Sequence, residues 1–277
     1  MILSTIDFFI EPLSSGFFKR GLIAAFFVMI GGAVLGFGVI TRRYAYLGQG
    51  ISQSMLGGVA IGSLAGFHPT LSAFAAAILA SILISRLSKV KGLTPDASVA
   101  IVASAAVSIG VAIISSDRSR AVNLNNILFG NILGVTWLEL SILGLAVLFA
   151  TIFTLTQGRK LALASISPSV AEAHGVRVSR LELYRLFVLA VVTAASVQIV
   201  GVTLIVAALV LPSAISSLFA KTIGFTHILA IIFAIKIGFI GMYISYGFDI
   251  ATGPSIIITG TAYYLLALLV SWIRERN

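Results

Sequence analysis

Long apolar runs, separated by short polar links, dominate the chain. Each run is close to the ~20 residues that an α-helix needs to cross the hydrocarbon core of a bilayer. Apolar and polar positions do not alternate along the runs, as they would in the strands of a membrane β-barrel. The runs lie at about 17–40, 47–66, 70–86, 97–115, 133–156, 184–200, 202–220, 225–246 and 254–272. The pattern predicts an all-α, polytopic membrane protein.

The stretch 184–220 decides how many helices to expect, because it is nearly unbroken in apolar residues. As one helix it would be ~55 Å long, whereas the hydrocarbon core is ~30 Å thick. Gly201 lies near its middle, so we divide it near 198–202. The sequence then predicts eight or nine transmembrane helices in a single domain, 1–277, with 1–16 at the membrane interface.

Composition and charge narrow the class of protein. The chain is 59% hydrophobic and 10% charged, with a mean hydropathy of +1.11, whereas soluble domains are roughly 25% charged. The net charge of +9 does not indicate nucleic-acid binding, since the basic residues lie in short clusters between apolar runs. Thirteen of them fall on one side of the predicted membrane and four on the other. The positive-inside rule therefore predicts a bacterial inner-membrane protein with a cytoplasmic C-terminus.

Two glutamines stand out in the second apolar run. Gln49 and Gln53 are one helical turn apart, so their side chains lie on one face. Lipid would penalise such a polar patch. We expect the pair to face a cavity, a partner helix or a transported solute.

Lys236 and Asp249 are two further candidates for a solute path. Lys236 falls near the middle of 225–246, where a charge costs roughly 2.5–3.5 kcal/mol. It is expected to face the bundle interior or a water-filled path, or to pair with an internal acid. Asp249 follows the same run, and it either caps the next helix or meets the solute at a gate.

The longest predicted cytoplasmic loop, 157–183, contains SPSVAEAHGV at 167–176. Ser167 suits a helix N-cap, Pro168 suits the first helical position and Gly175 suits the end. The loop is expected to hold a short helix on the inner face, which either docks on a cytoplasmic partner or is an ordinary solvated connection.

Several motifs of enzymes and metal sites do not occur in the chain. The sequence has no GxxxxGK[ST] motif and no cysteine, and its three histidines are scattered. We predict no enzyme, no nucleotide bound by this chain and no identified metal ligand. Pairs of glycines four residues apart, at Gly32–Gly36 and Gly58–Gly62, indicate close helix packing.

Four ordered segments resemble one family, the membrane subunits of metal-type ABC importers that carry zinc, manganese or iron. They are RRYAYLGQGISQSMLGGVAIG at 42–62, LFGNILGVTWLEL at 128–140, SPSVAEAHGV at 167–176, and VQIVGVTLIVAALVLPSAIS at 197–216 with SYGFDIATGPSIII at 245–258. The resemblance spans nearly the whole chain.

The resemblance implies a fold similar to the cobalamin and siderophore importers. It also implies a permease homodimer or a heterodimer with a paralogue. Two cytoplasmic ATPases would bind ATP, and an extracellular or periplasmic solute-binding protein would deliver the cargo. The residues matching the family's ATPase-contacting coupling helix are Ser167, Pro168, Glu172, Ala173, His174 and Gly175.

The chain departs from the family at Gln49 and Gln53, where the pattern has Asp and His. Carboxamides are neutral and bind first-row metals more weakly than that pair does. Import of a divalent metal is the main prediction, and import of a metal chelate or another small organic solute is the alternative. Two hypotheses from other functional classes are an ATP-independent carrier and a non-transporting membrane anchor.

Overall fold

The computed structural model describes residues 11–41, 46–116 and 130–276, and every regular element in these ranges is helical. The main helices are α1 (Gly16–Thr41), α2 (Leu47–Leu64), α3 (Pro69–Leu87), α4 (Pro95–Ser116), α5 (Trp137–Ile166), α6 (Pro168–Ala173), α7 (Val178–Phe219), α8 (Ile223–Phe248) and α9 (Thr252–Arg276). One helical turn forms at 11–14, and a 3₁₀ turn at Ile132–Gly134 precedes α5. The predicted interfacial segment 1–16 lies mostly outside the described residues.

Seven helices of the described ranges are long and apolar enough to cross a membrane. Residue Gly201 divides the 42-residue helix α7, because its backbone is not helical there. The division gives eight segments, and the shorter, more polar α2 is the ninth. The prediction of an all-α membrane fold with eight or nine spans is confirmed.

The two halves of α7 fold back on each other at Gly201. Val192 packs near Gly31 of α1, and Ala208 packs near the adjacent Gly32. Residues 192 and 208 would be ~24 Å apart in one straight helix, whereas adjacent Cα atoms are ~3.8 Å apart. The halves are therefore antiparallel, and α7 is a helical hairpin.

The turn of this hairpin requires glycine. Gly201 has φ 77° and ψ 173°, a region that a Cβ atom disfavours. The turn also frees the carbonyl of Ile199, which accepts a 2.9 Å hydrogen bond from the backbone N–H of Asn131. Gly130 packs so closely on Val200 and Gly201 that a side chain there would collide with their backbone. The segment before α5 thus satisfies a backbone group that lipid could not.

Helix α7 lies at the centre of the bundle. In its most apolar stretch 72% of the residues are buried, the largest share among the helices long and apolar enough to cross a membrane. It packs extensively on α1, α2, α3, α5, α8 and α9 and has a small contact with α6. Gly32 and Gly36 of α1 face the backbones of Ala208 and Leu209 in its second half. The predicted role of this glycine pair, close helix packing, is confirmed.

We predict that Gly36→Ala destabilises the protein by about 1–3 kcal/mol, because overpacking has that cost in a tight core. The added Cβ would collide with the Leu209 carbonyl oxygen and the Ser213 hydroxyl. The measurement is the fraction of monodisperse protein left after heating in detergent, followed by size-exclusion chromatography. Gly158→Ala is the control, since a Cβ there meets nothing within 4 Å. Equal heat resistance of the two variants would contradict the packing argument.

Candidate functional site

The Gln49–Gln53 pair lies deep in the membrane. A Cβ on the neighbouring Gly48 would lie 2.6 Å from Leu209 Cδ1, which places the start of α2 beside the second half of α7. Leu209 is eight residues beyond the hairpin turn, which is ~12 Å along the helix. In a core ~30 Å thick, Gln49 is therefore nearer the middle than the edge.

Among the described residues, neither glutamine of the pair has a hydrogen-bond partner. Both side chains are half-buried, and no hydrogen bond joins either carboxamide to another described residue. The hydroxyls of Ser52 and Ser54, on the buried side of α2, donate to the carbonyls of Gly48 and Gly50 at 2.6 and 2.8 Å. The serine hydroxyls are thus satisfied by carbonyl groups of their own helix. The two glutamine carboxamides, at mid-depth, have no such partner among the described residues.

Lys236 lies at mid-depth on the opposite flank of α7. It is 13 residues after Ile223 and 12 before Phe248, or ~18–20 Å from either end of α8. Its side chain is exposed on the outer surface of this chain, so the interior of this chain's own bundle does not cover it. Helix α8 packs mainly on α1, α7 and α9, whereas α2 packs on α3, α4 and α7. Within one chain, Lys236 and the glutamine pair are therefore apart.

Asp249 ends α8 in a left-handed conformation, with φ 52° and ψ 42°. Its backbone N–H donates to the carbonyl of Ser245, and its side chain is exposed. The Ser245 hydroxyl donates to the Ile250 carbonyl at 2.7 Å, which holds the corner before α9. Asp249 therefore caps the helix it follows through its backbone, and its carboxylate remains available to solvent.

A cavity of about 240 Å³ opens beside this corner. Its walls come from Gly130–Leu133, from Val200 and Leu204 at the hairpin turn, and from Ala251–Pro254 at the start of α9. Three segments that are far apart in sequence meet here, and each belongs to a stretch that carries the family resemblance. Asn131, which joins the first two segments, was not singled out by the sequence.

Helix α6 lies at the opposite end of the bundle and has the predicted caps. The Ser167 hydroxyl accepts a 3.4 Å hydrogen bond from the Val170 N–H, and Pro168 occupies the first turn. His174 Nδ1 lies 2.9 Å from the Val170 carbonyl oxygen, and Gly175 ends the helix with φ 76°. The 30 residues of α5 span ~45 Å, so its end and α6 extend beyond a ~30 Å core.

One residue anchors α6 while the others face outward. Ala171 is fully buried and packs with Ala164 of α5 and Leu181 of α7. The remaining residues of this surface are exposed or, for Ser167, half-buried: Ser167, Pro168, Ser169, Val170, Glu172, Ala173, His174 and Gly175. The arrangement is a short, rigid projection fixed to two membrane helices.

Arg185 ties the base of this projection to α1. The guanidinium is buried, donates to the Gly38 carbonyl oxygen of α1 at 2.5 Å and pairs with Glu182 one turn away. It lines a cavity of about 30 Å³ with His227 of α8, whose ring contacts Phe37 at a centroid distance of 5.3 Å. Arg185 is one of the thirteen basic residues that the sequence places on the cytoplasmic side, and its spacing of three from Glu182 is the sequence signal for a helical ion pair.

The described residues contain no group of three or more His, Asp or Glu side chains that could hold a metal ion. The polar positions form three separate regions: the glutamine pair on α2, Lys236 on α8, and the α6 projection with its Arg185 junction. All three regions lie beside α7.

Comparison with known proteins identifies the family of the chain. Residues 14–271 match the ABC 3 transport family. The "Manganese transport system membrane protein MntC" of Halalkalibacterium halodurans is 31% identical, over 97% of this chain and 92% of the relative. The "Probable iron transport system membrane protein" of Haemophilus influenzae is 32% identical, over 98% and 99%.

A solved structure, "PsaBC from Streptococcus pneumoniae in complex with Fab", superposes with a TM-score of 0.81 at 27% identity. It covers 95% of this chain and 94% of its own chain. The sequence-based resemblance to metal-type ABC permeases is thereby confirmed. With its fold and nearly its whole length matched, the chain belongs to the ABC 3 transport family, the membrane-spanning permeases of ABC transporters.

Proposed function

We propose that the chain imports a divalent first-row metal ion, manganese in the first place, with energy from ATP hydrolysed on a separate cytoplasmic subunit. The observation that carries the proposal is the family match over 14–271, combined with a capped helix that projects from one end of the bundle. The chain serves as the conduit, and it works in a bacterial inner membrane with its C-terminus in the cytoplasm.

The choice of cargo rests on the relatives and on the chemistry of the glutamine pair. Two relatives at 31–32% identity are named for manganese and iron, which favours a metal ion over an organic chelate. Carboxamide oxygens suit manganese better than zinc, which prefers imidazole and thiolate. Neutral oxygen ligands at Gln49 and Gln53 would hold the ion weakly, as a path for release requires.

The α6 projection is the proposed contact with the ATPase. Its outer residues Glu172, Ala173 and His174 are exposed, and its base is fixed by the buried Ala171. A displacement of α6 would move the ends of α5 and α7 together. Arg185 of α7 would then pass the displacement to α1, because its guanidinium donates a hydrogen bond to the Gly38 carbonyl oxygen.

The exposed position of Lys236 favours an assembly with a second permease chain. An ammonium group facing lipid at mid-depth costs roughly 2.5–3.5 kcal/mol. Cover by a second copy or by a paralogue would remove Lys236 from lipid and place it beside a central, water-filled path. The outer cavity beside Asp249 would then face the solute-binding protein that delivers the metal.

The function is tested in proteoliposomes that contain the chain with a cytoplasmic ABC ATPase from the same organism. We expect uptake of radioactive manganese that requires both ATP and the solute-binding protein. Liposomes that carry the ATPase alone are the control. Manganese uptake at the same rate without the ATPase would overturn the proposal, and so would failure of the two chains to associate.

Glu172→Lys should uncouple the transporter, because the reversed charge lies on the proposed ATPase contact. We expect transport and stimulated ATP hydrolysis to fall by about tenfold or more, equivalent to at least ~1.4 kcal/mol of lost coupling. Lys221→Glu reverses another exposed charge at the same end of the bundle and should leave both rates unchanged. Normal rates in Glu172→Lys would show that α6 is not the docking surface.

Gln53→Leu should slow metal transport while leaving assembly intact, because it removes one oxygen ligand from the proposed path. A lost polar contact of roughly 1–2 kcal/mol corresponds to about a tenfold lower rate. Gln157→Leu changes a half-buried glutamine near the inner end of α5 and serves as the matched control. Manganese uptake at the wild-type rate in Gln53→Leu would exclude the pair from the path.

A further inference from the structure

A groove on the surface of the bundle lies apart from the polar residues and cavities described above. Helices α3, α5 and the first half of α7 enclose an apolar cavity of about 580 Å³. Its walls include Ile78 and Ile82 of α3, Phe149 and Phe153 of α5, and Tyr184 and Phe187 of α7. Phe149 is 47% exposed and Phe187 37%, so the groove opens to the surroundings of the chain.

Each wall of this groove ends in a basic residue on the same helix face. Arg86 follows Ile82 by four residues, and Lys160 follows Phe153 by seven. Arg180 precedes Tyr184 by four residues and Phe187 by seven. Residues four and seven apart share a helix face, so three charges meet at one mouth of the groove.

The ends of α3 and α7 lie at one level, and the three charges have no ion-pair partner among the described residues. Lys89 Nζ donates a 2.5 Å hydrogen bond to Ser179 Oγ, which brings the end of α3 to the start of α7. Arg86, Lys160 and Arg180 are exposed, and none forms an ion pair with another described residue. From the deepest wall residues to this mouth the helices rise ~10–16 Å, close to one leaflet of a ~30 Å core.

Positive charge above an apolar groove of this depth matches the chemistry of an anionic lipid. We propose that the groove binds an acyl chain of an anionic phospholipid of the inner leaflet, with Arg86, Lys160 and Arg180 holding its phosphate. The positive-inside rule places this mouth at the cytoplasmic leaflet, which is rich in anionic lipid. A second copy of the chain fits less well, because a two-fold contact here would set three positive charges against the same three.

The test uses the full-length chain, purified in detergent and titrated with dioleoyl phosphatidylglycerol or dioleoyl phosphatidylcholine. Native mass spectrometry reports the bound lipid. We expect one tightly bound phosphatidylglycerol per chain and markedly weaker binding of phosphatidylcholine. Arg86→Gln, Lys160→Gln and Arg180→Gln combined should weaken phosphatidylglycerol binding by on the order of 10- to 100-fold. The control triple is Lys221→Gln, Arg274→Gln and Arg276→Gln, exposed basic residues at the same end that should not affect binding.

A second pair of variants tests the groove without altering charge. Ile82→Trp fills the groove and should abolish the tight phosphatidylglycerol site. Leu83→Trp changes the next residue of α3, of similar exposure, which lines a different cavity and should bind as wild type does. Equal affinity for the two lipids, wild-type binding by the neutralised triple, or wild-type binding by Ile82→Trp would overturn the proposal. Photo-crosslinking from position 187 to a second copy instead of lipid would also overturn it.

Discussion

The turn of the α7 hairpin is the constraint on which the rest of the structure depends. Two membrane helices meet at one residue, and only glycine adopts φ 77° with ψ 173° without strain. The reversal frees the Ile199 carbonyl, and the hydrogen bond from the Asn131 N–H satisfies it in a region where lipid offers no partner. Helices α1, α2, α3, α5, α8 and α9 then pack on the hairpin, so their positions follow from this turn.

Small residues, more than large apolar ones, determine how closely these helices pack. Lipid tails are as apolar as leucine, so burial of leucine alone does not drive helices together in a membrane. Glycine on α1 lets its backbone approach the carbonyls of Ala208 and Leu209, and Gly58 on α2 does the same against Ser72 of α3. Dispersion contacts at this distance stabilise a bundle that also keeps polar side chains at mid-depth.

Polar groups occur at three levels of the bundle, and each level has a different physical setting. At one end, backbone groups around 130–131 and 199–201 satisfy one another beside an open cavity. At mid-depth, Gln49, Gln53 and Lys236 have no hydrogen-bond or ion-pair partner among the described residues. At the opposite end, Arg185 joins α1 to α7 beside the projecting helix α6.

The sequence by itself determined the features that depend on neighbours along the chain. Apolar run length predicted the spans, cap chemistry predicted α6 from Ser167 to Gly175, and Gly201 marked the division of α7. Only the tertiary structure decided what lies between elements: the antiparallel course of α7, the bond of Arg185 to Gly38, and the exposure of Lys236 on the outer surface. The reason is that periodicity and capping act within a few residues, whereas a contact between helices depends on packing across the whole bundle.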